Sequence, residues 1–148
     1  MMKHLNVAMV VLLVAVASRG YALSEKEQTL KEFITAHVEK VKPLEKQANL
    51  AWWEAAVTGD PNAYDRSSAL TLQIRRIYSD PKDFAFLKEL KQSGRVADRL
   101  LARQLTVLHN AYLANQIEPK LLEQIVELGT EIEKNFSTFR ATIDGRKV

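Results

Sequence analysis

Two histidines are the first residues of this sequence to test for metal chemistry. A zinc peptidase helix needs two histidines four residues apart with a glutamate between them, because this spacing points both imidazoles from one face. His37 opens the run HVEKV and His109 opens HNAYL, so neither begins that motif. A di-iron site would need a glutamate three residues before each histidine, where the chain has Ile34 and Thr106. We therefore expect packed or half-buried structural roles for both histidines.

A row of carboxylates, Glu123, Glu127 and Glu131, recurs every four residues and so follows one side of a helix. Paired carboxylates do acid–base work only where burial separates their pKa values. Lys120 and Lys134 bracket the row, which indicates a solvated surface. The chain also has no glycine-rich phosphate loop, no G-x-S-x-G motif and no cysteine. We therefore predict no catalytic, cofactor-binding or metal-ligating residue in it.

The two tryptophans of the chain, Trp52 and Trp53, are neighbours in the run ANLAWWEAAVTGDP. Adjacent residues on a helix point about 100° apart, so both indoles cannot enter one core seam. We interpret one as a core residue, packed where nearby alanines let another helix approach, and the other as contacting a second layer or lining a cleft. The residues alone favour the simpler alternative, in which both are core.

Helix signals punctuate the chain from residue 24 onward. Ser24 and Glu27 are spaced as a capping box. Pro43 falls inside the first helical pattern, where its missing donor and its crowding of the preceding turn predict a kink or a restart. Gly59 is placed for a left-handed helix end. Three later helix starts are marked by acid–proline pairs: Asp60-Pro61, Asp80-Pro81 and Glu118-Pro119.

The last helical pattern is the most regular one. Its apolar residues step by three or four positions until Gly145, and we interpret them as a core stripe that needs neighbouring helices. The sequence has no strand-like alternation of useful length and no internal repeat. It predicts an all-α fold of about five amphipathic helices in an antiparallel layer or bundle. The residues of the stripe are Leu121, Ile125, Leu128, Ile132, Phe136, Phe139 and Ile143.

The first 22 residues have the composition of a signal peptide. Lys3 and His4 precede an uncharged apolar run at residues 8–17, which is shorter than the roughly 20 residues of a membrane span. The small residues around Tyr21 favour cleavage after Ala22, with residues 15–17 as a second candidate. We predict a leader at residues 1–22 and a helical region at 23–148, located in the periplasm or secreted. An uncleaved membrane anchor is the alternative; otherwise the membrane is a partner only during export.

The charge balance argues against nucleic acid as a partner. The net charge of the full chain is +3, but removal of Lys3 and Arg19 leaves 19 basic residues against 18 acidic ones. Phosphate binding needs a concentrated positive face. Arg95, Arg99 and Arg103 recur every four residues, and an exposed helix edge explains them.

Four blocks of the sequence follow one another in this order: ANLAWWEAAVTGD, RRIYSDPKDFAFLKEL, LLARQLTVLHNAYLANQI and EIEKNFSTFRATIDGRKV. Together they resemble the N-terminal region of bacterial peptidyl-dipeptidases of the angiotensin-converting-enzyme family. The resemblance covers roughly residues 27–148, and none of its blocks is a catalytic motif.

The resemblance implies a mainly helical, zinc-dependent enzyme that removes dipeptides from peptide C-termini inside a deep cleft. The first helices of such enzymes form a lid-like layer over that cleft. The HExxH helix, the third zinc-ligating glutamate and the substrate-carboxylate binders of the family lie beyond the region matched here. The chain is then a truncated N-terminal segment, inactive alone, whose partner is the remainder of the peptidase. Zinc and peptide substrates belong to that parent.

Two hypotheses follow for the function of this chain. In the first it is the lid segment of a zinc peptidyl-dipeptidase. In the second it is a self-sufficient exported helical module that binds peptides or a partner protein without catalysis. A segment of a larger protein should leave an apolar face unpaired, whereas a finished bundle should not.

Overall fold

Residues 23–147 are described by a computed structural model, and helices account for most of them. The predicted leader at residues 1–22 lies outside the described residues. The all-α prediction is confirmed. The described elements are α1 (Glu25–Thr58), α2 (Pro61–Tyr78), α3 (Pro81–Ser93), α4 (Arg99–Leu113), α5 (Pro119–Thr138), β1 (Thr142–Ile143) and β2 (Arg146–Lys147).

The predicted helix starts are confirmed at atomic detail. The Ser24 hydroxyl accepts the backbone N–H of Glu27, while the Glu27 carboxylate accepts the backbone N–H of Ser24, which completes a capping box. The carboxylates that precede the three prolines each accept a backbone N–H in the first turn of their helix. Helix α1 ends at Gly59, whose φ of 71° is left-handed.

Helix α1 runs through Pro43 without interruption, so the predicted restart there is wrong. A proline inside a helix removes one hydrogen bond and costs about 3 kcal/mol. Val41 and Ala48, on either side of it, are both buried. Because tertiary packing supplies most helical stability, contacts on both sides hold the helix together.

Helix α2 folds back along α1 and forms a close hairpin with it. Ala55 of α1 and Ala63 of α2 are both fully buried at the turn end, beside Tyr64. At the other end the ring of Tyr78 lies 4.9 Å from the ring of His37. Since alanine has no side chain beyond Cβ, the two backbones approach closely at the turn end.

Helices α3 and α4 pack on the N-terminal half of α1 around a leucine-rich core. The loop before α4 is held to the start of α1 by Glu27, whose carboxylate accepts the backbone N–H groups of Ala97 and Asp98 at 2.8 Å each. The buried members of this core are Leu30, Leu87, Leu90, Leu101, Leu105 and Tyr112.

Helix α5 rests on α2 and buries Leu122 and Val126. It ends at Thr138, so the prediction that the helix continues through Phe139 to Ile143 is wrong. The chain instead turns between β1 and β2 at Asp144-Gly145, where both φ angles are positive. This Asp-Gly pair is a strong local hairpin signal. No helix among residues 23–147 is long and apolar enough to cross a membrane.

Candidate functional site

His37 is a buried structural residue, as the sequence predicted. Its Nδ1 lies 3.1 Å from the Tyr112 hydroxyl, which donates to the Asp83 carboxylate at 3.2 Å. Because the tyrosine hydroxyl donates to Asp83, its oxygen can accept from Nδ1–H of His37. Burial lowers the pKa of His37 below its ordinary value, and it raises that of Tyr112. The ring also stacks on Phe33.

His109 is half-buried on α4 and far more accessible than His37. Its Nδ1 lies 3.2 Å from the Lys91 ammonium and 3.3 Å from the Asn110 side-chain oxygen, and its ring lies near Phe84. The two histidines thus have separate sets of neighbours. In the described part of the chain no group of three histidine, cysteine or acidic side chains is arranged to hold a metal ion.

The carboxylate row of α5 lies at the surface. Glu127 and Glu131 are exposed, which confirms the predicted solvated face. Glu123 is half-buried and pairs with Arg76 of α2 at 3.4 Å. The three carboxylates are therefore not buried together, and the row lacks the buried environment that an acid–base pair needs.

Both tryptophans are exposed, so the prediction that one or both lie in the core is wrong. Trp52 is 45 % exposed and Trp53 is 64 % exposed. The buried face of α1 in this region is built from Ala48, Ala51 and Ala55. Trp52 and Trp53 lie on other sides of the helix, outside this contact. Trp52 lies beside this face and lines a cleft. Lining a cleft was the role predicted for whichever tryptophan lies outside the core.

The apolar stripe that was predicted to need neighbouring helices lies on the outside of α5. We call the five residues on the helix the outer stripe: Leu121, Ile125, Leu128, Ile132 and Phe136. Their exposure ranges from 39 % for Ile125 to 85 % for Phe136, and Phe139 and Ile143 beyond the helix are exposed as well. Single exposed apolar residues are normal, but a continuous row of this length marks an interaction surface.

The contact between α2 and α5 combines polar and apolar side chains. Ser67 and Thr71 of α2 line a cleft beside α5, and Arg76 pairs with Glu123 across the contact at 3.4 Å. Leu122 and Val126 are the buried residues of α5, so the face of α5 that meets α2 is itself partly apolar.

A cleft of about 450 Å³ is lined by residues of α1, α2 and α5. Trp52 forms one wall and Ile125 of the outer stripe borders the other. Arg75 of α2 and Glu133 of α5 also line it. Among the described residues neither of these charges takes part in an ion pair. The cleft therefore opens beside the outer stripe and extends that surface toward α1.

The outer stripe, with the cleft beside it, is the candidate functional site of the chain. No protein family, curated protein or solved structure matches this sequence. The site contains no nucleophile–base pair in the part of the chain that the structure describes. It provides a long apolar face beside a cleft lined by Trp52, and such a face is typical of a docking surface. The sequence identified the residues of this surface as a stripe that needs neighbouring helices.

Proposed function

We propose that this chain is a non-catalytic helical layer of an exported zinc-dependent peptidyl-dipeptidase. In this proposal the helices dock through the outer stripe onto the body of the enzyme. That body supplies the zinc and the groups that bind and cleave peptides, so the chain by itself is inactive. The working compartment is the periplasm or the extracellular space, and residues 1–22 direct export.

The exposed outer stripe is the observation that carries this proposal. Full burial of a leucine, isoleucine or phenylalanine side chain contributes about 1.5–3 kcal/mol. Five such side chains lie along one face, and each is at least 39 % exposed. Burying them against a partner would therefore contribute a large favourable free energy of association. A helical layer that rests on a larger body uses this surface. The order of the four sequence blocks described above supports the choice of a peptidyl-dipeptidase as that body.

Co-expression in the periplasm tests the proposal. The chain is produced together with a bacterial peptidyl-dipeptidase of this family from which the corresponding N-terminal helices have been deleted. We expect chelator-sensitive release of dipeptides only when both are present. The double variant Ile132→Ser/Phe136→Ser should not restore activity, because both side chains lie on the outer stripe and are exposed.

The matched control is Leu100→Ser/Val107→Ser, which removes two exposed apolar side chains from α4 instead. This variant should restore activity fully. Equal restoration by the stripe variant would contradict docking through α5. Stoichiometric zinc on the chain alone, with release of dipeptides, would contradict the proposal as a whole.

The second candidate function is a self-sufficient module that binds a peptide or protein without catalysis. The cleft beside Trp52 favours it, because about 450 Å³ lies within the range of ligand sites. A monomer that melts sharply, binds no hydrophobic dye and gives no complementation would support this module instead.

A further inference from the structure

The cleft beside the outer stripe has two charged side chains among the described residues that line it, and they are opposite in sign. Arg75 is half-buried on α2, and Glu133 is exposed on α5. Neither forms an ion pair with another described residue. Lys134, next to Glu133 in the chain, lines a separate groove with Tyr64. The cleft therefore offers one charge of each sign to a ligand.

The directions of the helices show how these charges are placed. Arg76, near the end of α2, pairs with Glu123, near the start of α5, at 3.4 Å. Gly59, just before α2, lies beside the side chain of Thr138, the last residue of α5. Helix α5 is therefore antiparallel to α2, and Arg75 lies toward the start of α5.

Glu133 lies at the opposite end of the cleft, together with Trp52. From Glu123 to Glu133, α5 rises about 15 Å at 1.5 Å per residue. On α1, the backbone oxygen of Ala48 accepts the hydroxyl of Ser67 at 3.5 Å. Trp52 is one turn further along α1, nearer to the connection with α2, which is the end of the cleft where Glu133 lies.

The part of the cleft between the two charges includes side chains that can pair with peptide groups. Asn49 is exposed on α1, while Thr71 of α2 and Thr130 of α5 are half-buried. Amide and hydroxyl side chains both donate and accept hydrogen bonds, as the N–H and C=O groups of an extended chain require. Gly129 has no side chain, and a Cβ there would have no neighbour within 4 Å, so it leaves space on the α5 side.

We infer that the cleft binds a short extended peptide with free termini, its carboxylate at Arg75 and its ammonium at Glu133 and Trp52. An extended chain spans about 3.3–3.6 Å per residue, so a peptide of about four residues fits the distance between the charges. A guanidinium binds a carboxylate through two hydrogen bonds, and an ammonium is attracted to the face of an indole. This inference rests on the second candidate function, binding without catalysis, and adds its ligand. It does not depend on docking through the outer stripe.

Tetraalanine with free termini is the probe that tests the inference. Its N-acetylated and C-amidated forms each lack one terminal charge. Each peptide is titrated into the purified Trp53→Phe chain while the emission of Trp52 is followed; Trp53 is exposed and does not line the cleft. We expect the free peptide to bind about fivefold more tightly than either blocked form. High salt should reduce the difference.

Two substitutions assign the termini to their ends of the cleft. Arg75→Gln should abolish the preference for a free C-terminus and keep the preference for a free N-terminus. Glu133→Gln should have the converse effect. The matched controls, Arg103→Gln on α4 and Glu127→Gln on α5, remove the same charges at exposed positions outside the cleft and should keep both preferences.

Charge reversal separates recognition of the termini from a structural role. Arg75→Glu places an acidic group at each end of the cleft and should prefer the C-amidated peptide to the free one. The double variant Arg75→Glu/Glu133→Arg restores one charge of each sign and should recover binding of the free peptide in the opposite direction. Circular dichroism checks that each variant keeps its helix content.

Four results would overturn the inference. The first is the absence of tetraalanine binding, and the second is equal binding of its free and blocked forms. The third is loss of a preference in a control variant, which would show that net charge controls binding. The fourth is equally tight binding of an ω-amino acid of the same length, which would show that the peptide groups are not recognised. All four leave the complementation test of the outer stripe unaffected, so the two proposals fail separately.

Discussion

The two halves of α1 differ in how their neighbours use apolar side chains. Around the N-terminal half, leucines and aromatic rings from α3 and α4 surround Leu30, which is fully buried. Around the C-terminal half, the buried contacts with α2 are made mainly by small residues such as Ala55 and Ala63. The large apolar residues of this half, Trp53 and Val57, are exposed.

The difference lies in the side chains that the neighbouring helices supply. Around the N-terminal half, α3 and α4 supply large apolar side chains on several sides. The C-terminal half packs on α2 and makes a smaller contact with α5, whose outer stripe faces away. The apolar residues of a helix therefore set how much apolar surface is available for burial. The neighbouring helices determine how much of that surface is buried.

A pair of identical substitutions provides the largest expected contrast between the two regions. Leu87 is fully buried in the leucine-rich core, and Leu128 is 59 % exposed on the outer stripe. Leu87→Ala leaves a cavity and should lower the free energy of unfolding by about 2–5 kcal/mol. Leu128→Ala should change it by less than about 0.5 kcal/mol. Urea unfolding measures both, and equal losses would contradict the exposed position of the stripe.

Enlarging an alanine tests the close approach of α1 and α2. Ala55 is fully buried between the two helices, whereas the adjacent Ala56 is exposed. Ala55→Leu forces the backbones apart and should destabilise the chain by about 1–3 kcal/mol. Ala56→Leu should change the free energy of unfolding by less than about 0.5 kcal/mol. If thermal unfolding shows that Ala55→Leu is tolerated equally well, the alanine contact is looser than described.

The pH dependence of stability reports on the link between α1 and α4. The backbone N–H of Asp98, the N–H and hydroxyl of Ser24 and the N–H of Ala97 stabilise the charged Glu27 and lower its pKa from 4.5 to about 2. Its stabilising contribution is therefore complete above about pH 4.5, declines as the pH falls and is absent below about pH 2.

Glu27→Gln should accordingly lower the melting temperature at pH 7, with a difference from the unmodified chain that shrinks as the pH approaches 2. Glu25→Gln changes another carboxylate in the first turn of α1 and controls for the helix dipole. A deficit for Glu27→Gln that stays constant down to pH 2 would contradict the assigned role of the carboxylate.

The smallest effect on stability is expected on the outer stripe itself. Ile132→Ser/Phe136→Ser removes side chains that are 68 % and 85 % exposed, so the free energy of unfolding should change by less than about 1 kcal/mol. The fluorescence of a hydrophobic dye added to the chain should fall, because the dye loses its apolar surface. Strong unfolding without loss of dye binding would show that these side chains belong to the core.

The start and end of most helices could be predicted from the sequence because capping is local. The Ser24–Glu27 box, the aspartates before Pro61 and Pro81, and Gly59 each satisfy backbone groups within a few residues. The Asp144-Gly145 turn is equally local. The helical spacing of Phe139 and Ile143 predicts a helix across this turn, but residue spacing alone does not maintain a helix beyond its packing.

The residues of the outer stripe were also evident from the sequence, but which face of α5 is buried was decided by tertiary structure. Leu122 and Val126 form a smaller apolar face, and this face is the one buried on the side that meets α2. The same distinction applies to Pro43, where buried contacts on both sides outweigh the local cost of the proline, and to Trp52, whose exposure depends on the helices that surround α1. Caps act over a few residues of chain, whereas burial depends on neighbours that are distant in sequence.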